Sequence, residues 1–328
     1  MKKVLITGVA GFVGSHTARR FLDEGWIVYG IDNFSKGYKE NIEDMLPNGN
    51  FIFIAADIRD VNLAKRYARI ELDCVYHLAA VGDIPKCLSD PVDAVNNNIV
   101  GSLNILDVAY KTNAKHIYFA DTSAVYDGIS DERIFPLREN AAPNSYSPNS
   151  VYAITKTCAA SLLQTFCKRF GIGYTGFRYS NIYGPSMDLT REVPPVIGGL
   201  AKKIINSEQP IIYGDGSKVR EFVYIDDLVD LHYTMSEQMD SKRIITLNVG
   251  SGRPITIKDL YYVVWDICNQ LKLGAVTARD DIDWRPERPD EAKRVELDRS
   301  VTRGISNGWD ANTSLEDGIR KTIKSIME

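Results

Sequence analysis

The sequence predicts an α/β protein built on a doubly wound parallel sheet, with a smaller mixed α/β domain towards the C-terminus. Three observations carry this. Short apolar runs alternate with amphipathic helical patterns over the first 180 residues. Those runs are apolar on both faces, as strands covered by helices on either side must be. A glycine-rich turn joins the first run to the first helix.

Val4-Leu5-Ile6 is the first buried strand, and a helix follows over about 12–24, ended by Gly25. The runs 27–31, 51–54 and 74–78 give three more strands, with a helix near 61–70 before the last. A long helix over about 91–112 leads to a fifth strand at 116–119. A helix capped by Asn149 or Ser150 comes next, then a sixth strand at 173–177. From about 181 the pattern changes to turn-rich pieces with helices near 196–206, 257–271 and 314–326. This predicts domains over 1–180 and 181–328. They are interleaved, because 222–252, and the strand-like run 244–249 within it, returns to the first.

The chain has 328 residues, 44% apolar and 25% charged, enough for a sizeable core. A net charge of −4 argues against nucleic-acid binding. No apolar run is long enough to span a bilayer. Met1-Lys2-Lys3 leads into a core strand and glycine loop rather than a targeting segment. Five scattered cysteines form no CxxC pair, so neither a disulfide framework nor a zinc site is expected. His16, His77 and His116 have no metal-ligand spacing and read as structural. The expectation is a cytoplasmic protein.

Gly8, Gly11 and Gly14 stand at GxxGxxG spacing between the first strand and first helix. The first permits a sharp turn, the second a close approach of pyrophosphate, the third tight helix–strand packing. The helix N-terminus then offers free N–H groups to the phosphates. Asp32 ends the second strand, 18 residues after Gly14, where a carboxylate accepts from an adenosine ribose. A negative charge there repels a 2′-phosphate, so the cofactor is expected to be NAD on a Rossmann-like sheet.

The ordered motifs TGVAGFVGSH (7–16), IDNFSKG (31–37), Ala56-Asp57, YHLAA (76–80), YxxxK (152–156), FRYSNIYGP (177–185), YGDGSKVREFVYIDD (213–227) and RPDEAKR (288–294) span nearly the whole chain. By these the sequence resembles the extended short-chain dehydrogenases/reductases, specifically their NAD-dependent nucleotide-sugar epimerases and dehydratases. The resemblance implies cofactor contacts from Gly8, Gly11, Phe12, Val13, Asp32, Asn33, Ser35 and Gly37. It implies further contacts from Asp57 and Ile58 at the adenine, from Leu78, Ala79 and Ala80, and from Tyr152 and Lys156.

With 17 tyrosines, one YxxxK arises by chance, and an i,i+4 polar pair is ordinary on a helix face. Context decides: Tyr152 and Lys156 share a face in the first turns of the helix after strand five, beside the cofactor cleft. A tyrosine base at neutral pH needs its pKa lowered by about 3 units, roughly 4 kcal/mol. Lys156 and the cofactor's positive ring are expected to supply the charge. The family's third member is a Ser or Thr beyond strand five. Counting back from Val125-Tyr126 places it at Thr122, with Ser123 the near alternative. Related dehydratases carry an Asp-Glu pair after this Thr, and related decarboxylases a Glu before Val-Tyr. Here Ser123 and Ala124 stand instead, which leaves oxidation and reduction at one carbon, a 4-epimerisation. Asp121 and Asp127 depart from the family pattern.

The resemblance further implies that Arg220 and Arg288 bind the substrate diphosphate, Asn181 the diphosphate or the sugar, Tyr213 the uracil, and Val81 to Ile84 the sugar. Val295, seven residues after Arg288, is smaller than the tyrosine that excludes N-acetyl groups. The expected partner is a UDP-sugar, with UDP-glucose/UDP-galactose and the N-acetylated pair as candidates. A homodimer is expected through helices 91–112 and 150–170. The rivals are a decarboxylase, dehydratase or keto-sugar reductase on the same scaffold, and a non-catalytic NAD-dependent sensor.

Overall fold

Seven parallel strands form the central sheet: β1 (Lys3–Thr7), β2 (Ile27–Asp32), β3 (Phe51–Ala55), β4 (Cys74–His77), β5 (His116–Thr122), β6 (Gly173–Tyr179) and β7 (Ile244–Val249). Their order is β7-β6-β5-β4-β1-β2-β3. The computed structural model describes residues 1–127, 129, 132–141, 150–191, 193–274, 278–288 and 291–328. The order reverses beside β1, so its C-terminal end faces a crevice of the kind that holds ligands in such sheets.

The pleat divides the core between two faces. Val4 and Ile6 of β1 join Tyr76, Phe177 and Leu247 in one apolar cluster, with α1 (Phe12–Asp23) and a further helix, Ile225–Glu237. Leu5, Val75, Ile117 and Phe119 face the other, with Leu63–Tyr67, α2 (Gly101–Lys111) and α3 (Val151–Phe170). The alternation required of doubly covered strands is therefore met residue by residue. β7 pairs in register with β6, Asn248 opposite Arg178, so the run 244–249 joins the main sheet.

Three short ladders lie outside this sheet: Asn181–Tyr183 with Phe222–Tyr224, Val219–Arg220 with Ile255–Thr256, and Ile211–Tyr213 with Asp283–Arg285. These ladders are not marked by periodicity, whereas the helix Ile225–Glu237 buries Ile225, Leu228, Val229, His232 and Met235 at helical spacing. The ladder strands are two or three residues long, too short to show a period of two.

The long helix expected over 91–112 is helical but not uniform. Pro91–Val95 and α2 flank a π-turn at Asn96–Val100. Such wide turns concentrate at functional sites because they re-aim a side chain. Here the turn carries Asn98, 1% exposed.

Candidate active site

The glycine loop is set by close approach. Gly8 has φ +70°, and a Cβ on it would lie 2.9 Å from the Ala79 backbone. A Cβ on Gly14 would lie 2.0 Å from the Gly8 carbonyl, and one on Gly11 3.1 Å from the same atom. Only glycine lets β1, the turn and α1 pack this tightly. Gly11 is the N-cap of α1 and no side chain caps that helix, so the N–H groups of Phe12 and Val13 remain available to an anion.

Asp32 sits nearly buried at the end of β2. Its carboxylate accepts from the Ala10 N–H at 2.9 Å and the Phe34 N–H at 2.7 Å. Burial raises its pKa against those bonds. Asn33 donates to Asp57 at 2.9 Å and accepts from the Ser35 N–H at 2.9 Å. Asp57 is held at about 2, mainly by hydrogen bonds from Arg59, whose other arm reaches Asp93 at 2.9 Å. Its carboxylate is thus engaged by Arg59 and Asn33. Gly37 approaches Ala10 and Asp32 so closely that a Cβ would lie 2.8–2.9 Å from them.

Thr7 bridges the loop to the next segment. Its hydroxyl accepts from the Leu78 and Ala79 N–H groups at 3.2 and 3.1 Å, so its own proton goes to His77 Nδ1 at 2.7 Å. His77 Nε2–H then donates to Ser102 at 2.8 Å, and Ser102 to the Asn98 carbonyl at 2.6 Å. Burial pushes His77 down to about 3, which agrees with this neutral tautomer. His77 is structural, as are His16 on the Pro185 carbonyl and His116 between Asp240 and Thr175.

Asn98 is a site residue that sequence patterns did not mark. Its amide accepts from the Val81 N–H at 2.8 Å and donates to the Val81 carbonyl at 3.1 Å and Thr155 at 3.0 Å. It ties the segment after Ala80 to α3, one turn from Tyr152 and beside Lys156. Val81 packs in a small apolar cluster with Cys87, Ala94 and Tyr152. Ile84 starts the short helix Ile84–Ser89 and is exposed.

Ser150 caps α3 through the Ala153 N–H at 3.2 Å; Asn149, the other candidate cap, lies outside the described residues. The helix presents Tyr152 to the end of β5, where the Thr122 hydroxyl favours its ionised form. Thr122 accepts from the Ala124 N–H at 3.1 Å, while Ser123 starts the 3-10 turn Ser123–Tyr126. Lys156 is buried, its Nζ 3.9 Å from the Phe119 ring centre.

The charges differ from expectation. Burial pushes Tyr152 up to about 12, with the Thr122 hydroxyl and Arg191 opposing and Asp121 reinforcing. Burial pushes Lys156 down to about 8, against the pull of Asp121. Lys156 thus bears on His77 and Asp121 rather than on the tyrosine. The reason is that both groups are stripped of water, which disfavours either charge.

Asp121 lies at the centre of this. It is opposite Arg178 in the β5–β6 register and 3.2 Å from its Nε. Arg178 donates to Tyr126 at 2.9 Å and the Glu139 carbonyl at 2.7 Å, and Tyr126 donates to Asn248 at 2.6 Å. A polar row thus crosses β5, β6 and β7 beneath the Thr122 turn. Asp127 follows that turn, and burial pushes it up to about 6 against the nearby Arg220.

Of the residues expected at the nucleotide sugar, Arg220 is mostly buried, donates to the Val219 carbonyl at 2.8 Å and meets Glu291 at 3.5 Å. Asn181 is anchored to the Glu221 carbonyl at 3.1 Å, beside Arg220. Arg288 stands apart from these, its guanidinium 3.7 Å over the Tyr213 ring. Pro289 and Asp290 of that block lie outside the described residues. Val295, 5% exposed, is buried with Val125, Tyr126 and Leu297 beneath the Thr122 turn.

The residues present fit a dinucleotide: the crowded glycine loop, an uncapped helix start and a buried acid at the end of β2 stand together. The family profile described as the NAD dependent epimerase/dehydratase family matches residues 4–250. A putative UDP-glucose 4-epimerase of Methanocaldococcus jannaschii is 29% identical, over 98% of this chain and 97% of its own. UDP-glucuronic acid decarboxylase 1 of Danio rerio is 30% identical, over 98% of this chain and 72% of its own. The solved UDP-N-acetylglucosamine 4-epimerase of Methanobrevibacter ruminantium is 31% identical with a TM-score of 0.87, over 99% of this chain and 98% of its own. With its cofactor loop, its tyrosine–lysine helix and its full-length likeness in agreement, the chain belongs to the NAD-dependent epimerase/dehydratase family.

Proposed function

We propose that the protein is a UDP-sugar 4-epimerase working through a transient 4-keto sugar. The observation that carries this is the placing of Tyr152 by the Thr122 turn, whose next residues, Ser123 and Ala124, bring no second acid. When bound, NAD supplies the hydride acceptor and donor and a positive charge near Tyr152. Thr122 holds the sugar O4 against the tyrosine. Tyr152 accepts the O4 proton as the C4–H bond breaks and, once the sugar has turned, returns it to O4 as hydride is restored to the opposite face of C4, with no net oxidation. Lys156, kept cationic by Asp121, sits behind on the nicotinamide-ribose side. Arg220 and Arg288 grip the diphosphate, about which the keto sugar turns. For Arg288 this requires leaving the face of Tyr213, which frees that ring to stack on uracil. The substrates are UDP-glucose/UDP-galactose, with the N-acetylated pair admitted because Val295 is small. On this reading the cofactor binds the domain before about 180 and the nucleotide sugar the domain after it, the two being interleaved.

The test is incubation with a panel of UDP-sugars, followed by chromatography and mass measurement. An isobaric epimer without NAD(P)H consumption is expected. Loss of carbon dioxide or water sinks the proposal and favours the second reading, which Asp127 supports. An acid at about 6 beside the diphosphate arginine is poised to move a proton near neutral pH.

We propose further that two copies pair through α3 and the helical stretch 91–111. Val92, Val95, Tyr110, Ile154 and Phe170 are exposed there, an apolar surface that stable monomers rarely leave open. Val95→Asp together with Ile154→Asp should halve the mass measured by light scattering. An unchanged mass would exclude this face.

A further inference from the structure

The loop that follows Asp32 is tied across the glycine loop to the segment that follows β6, on the substrate side. Phe34, with φ +58°, turns the chain back, and Gly37 brings it against Ala10. The Tyr38 N–H then donates to the Ala10 carbonyl at 3.0 Å, and Asn41 donates to the same oxygen at 2.9 Å. The Tyr38 hydroxyl reaches over to Asp188, donating at 3.0 Å, and lies 2.7 Å from the Thr190 hydroxyl. Asp188 is 8% exposed and well used. Oδ1 also takes the Thr190 N–H and hydroxyl at 3.0 and 2.7 Å, while Oδ2 takes Arg191 Nε at 3.1 Å.

We propose that Tyr38 and Asp188 form a latch that retains the bound dinucleotide. The pyrophosphate belongs at the start of α1 and the adenosine ribose at Asp32, and Ala10 lies between these two points. The loop carrying Asn33, Ser35 and Gly37 must lift for that half of the cofactor to leave. Lifting it breaks the bond between Tyr38 and Asp188. Asp188 holds Arg191 with its other oxygen, and the Arg191 charge bears on Tyr152. Order in the substrate segment and retention of the cofactor are therefore linked, and the linkage works in both directions. Tyr38 and Asp188 are positioning residues; neither is required to touch the reacting atoms.

The holoenzyme is mixed with an excess of fluorescent etheno-NAD and the release of NAD followed. Tyr38→Phe should release NAD about tenfold faster, the equivalent of roughly one charge-assisted hydrogen bond. Asp188→Asn should do the same, and Thr190→Val, at an exposed position, about threefold. UDP should slow release in the wild type and lose that effect in Tyr38→Phe. Wild-type release from Tyr38→Phe and Thr190→Val overturns the latch, even if Asp188→Asn fails to fold. So does faster release matched by an equal loss of thermal stability in the NAD-free variants, which marks general loosening. The NAD content of the purified wild type is a separate readout, so a protein without NAD would fail the cofactor assignment and not the latch.

Discussion

Tyr152→Phe should lower interconversion of UDP-sugar epimers by about 10³-fold while leaving NAD bound. Loss of a positioned proton acceptor removes about 10²–10⁴ in rate. The upper part of that range applies on the proposed reaction, because the turn residues after Thr122, Ser123 and Ala124, carry no carboxylate to stand in for the phenol. The phenyl ring keeps the packing with Val81, Cys87 and Ala94, so the fold and the glycine loop are undisturbed. Epimers are separated by chromatography and NAD is measured by absorbance after denaturation. Activity within tenfold of the wild type would remove Tyr152 from the proton transfer. Loss of NAD would show that the phenol serves binding instead.

Arg178→Ala should destabilise the fold by about 3–5 kcal/mol, because it strands the Asp121 carboxylate without its partner. The side chains are 14% and 2% exposed, so water cannot replace the guanidinium at little penalty. The melting midpoint should fall by roughly 10 °C. Asp121→Asn in the same background should recover much of the loss, since a neutral amide needs no counter-charge. The pH dependence has a definite sign. Burial raises the Asp121 pKa, so the folded protein holds that proton to higher pH than the unfolded chain. Stability from this group therefore falls as pH rises above the ordinary carboxylate value of about 3.9. Arg178 opposes that rise, and its removal extends the window upwards. The deficit of Arg178→Ala should therefore grow as pH rises above the ordinary carboxylate range. A deficit that stays flat, or grows on acidification, would show that the lost stability comes from packing and not from the stranded charge.

The cofactor half was legible because its determinants are local. Gly8, Gly11, Gly14 and Asp32 act within two strands and one helix, and their spacing states what the backbone must do. The catalytic pair was legible for a similar reason: Ser150, Tyr152 and Lys156 lie on two turns of one helix. Thr122 and Ser123 stand side by side in the sequence, and only the turn at the end of β5 shows the Thr122 hydroxyl engaged by the Ala124 N–H. The sugar end was less legible. Arg220 and Asn181 come together, but Arg288 lies on Tyr213, and Val295 works from beneath the turn. A motif names a residue type at a place and does not say which partner has claimed it.

The sequence by itself determined the doubly wound sheet, the dinucleotide loop and the tyrosine–lysine helix. Each is written in periodicity or glycine spacing over a few tens of residues, the range in which backbone geometry is settled locally. Only the tertiary structure decided the electrical state of the site. Asp121 meets Arg178 across 57 positions, Asn98 meets Val81 through a π-turn, and Tyr38 meets Asp188 across 150. These pairs share no local pattern. They exist because packing the sheet against its helices removes water from groups far apart in the chain, and each buried charge or amide is then held by whichever partner the fold brings within reach.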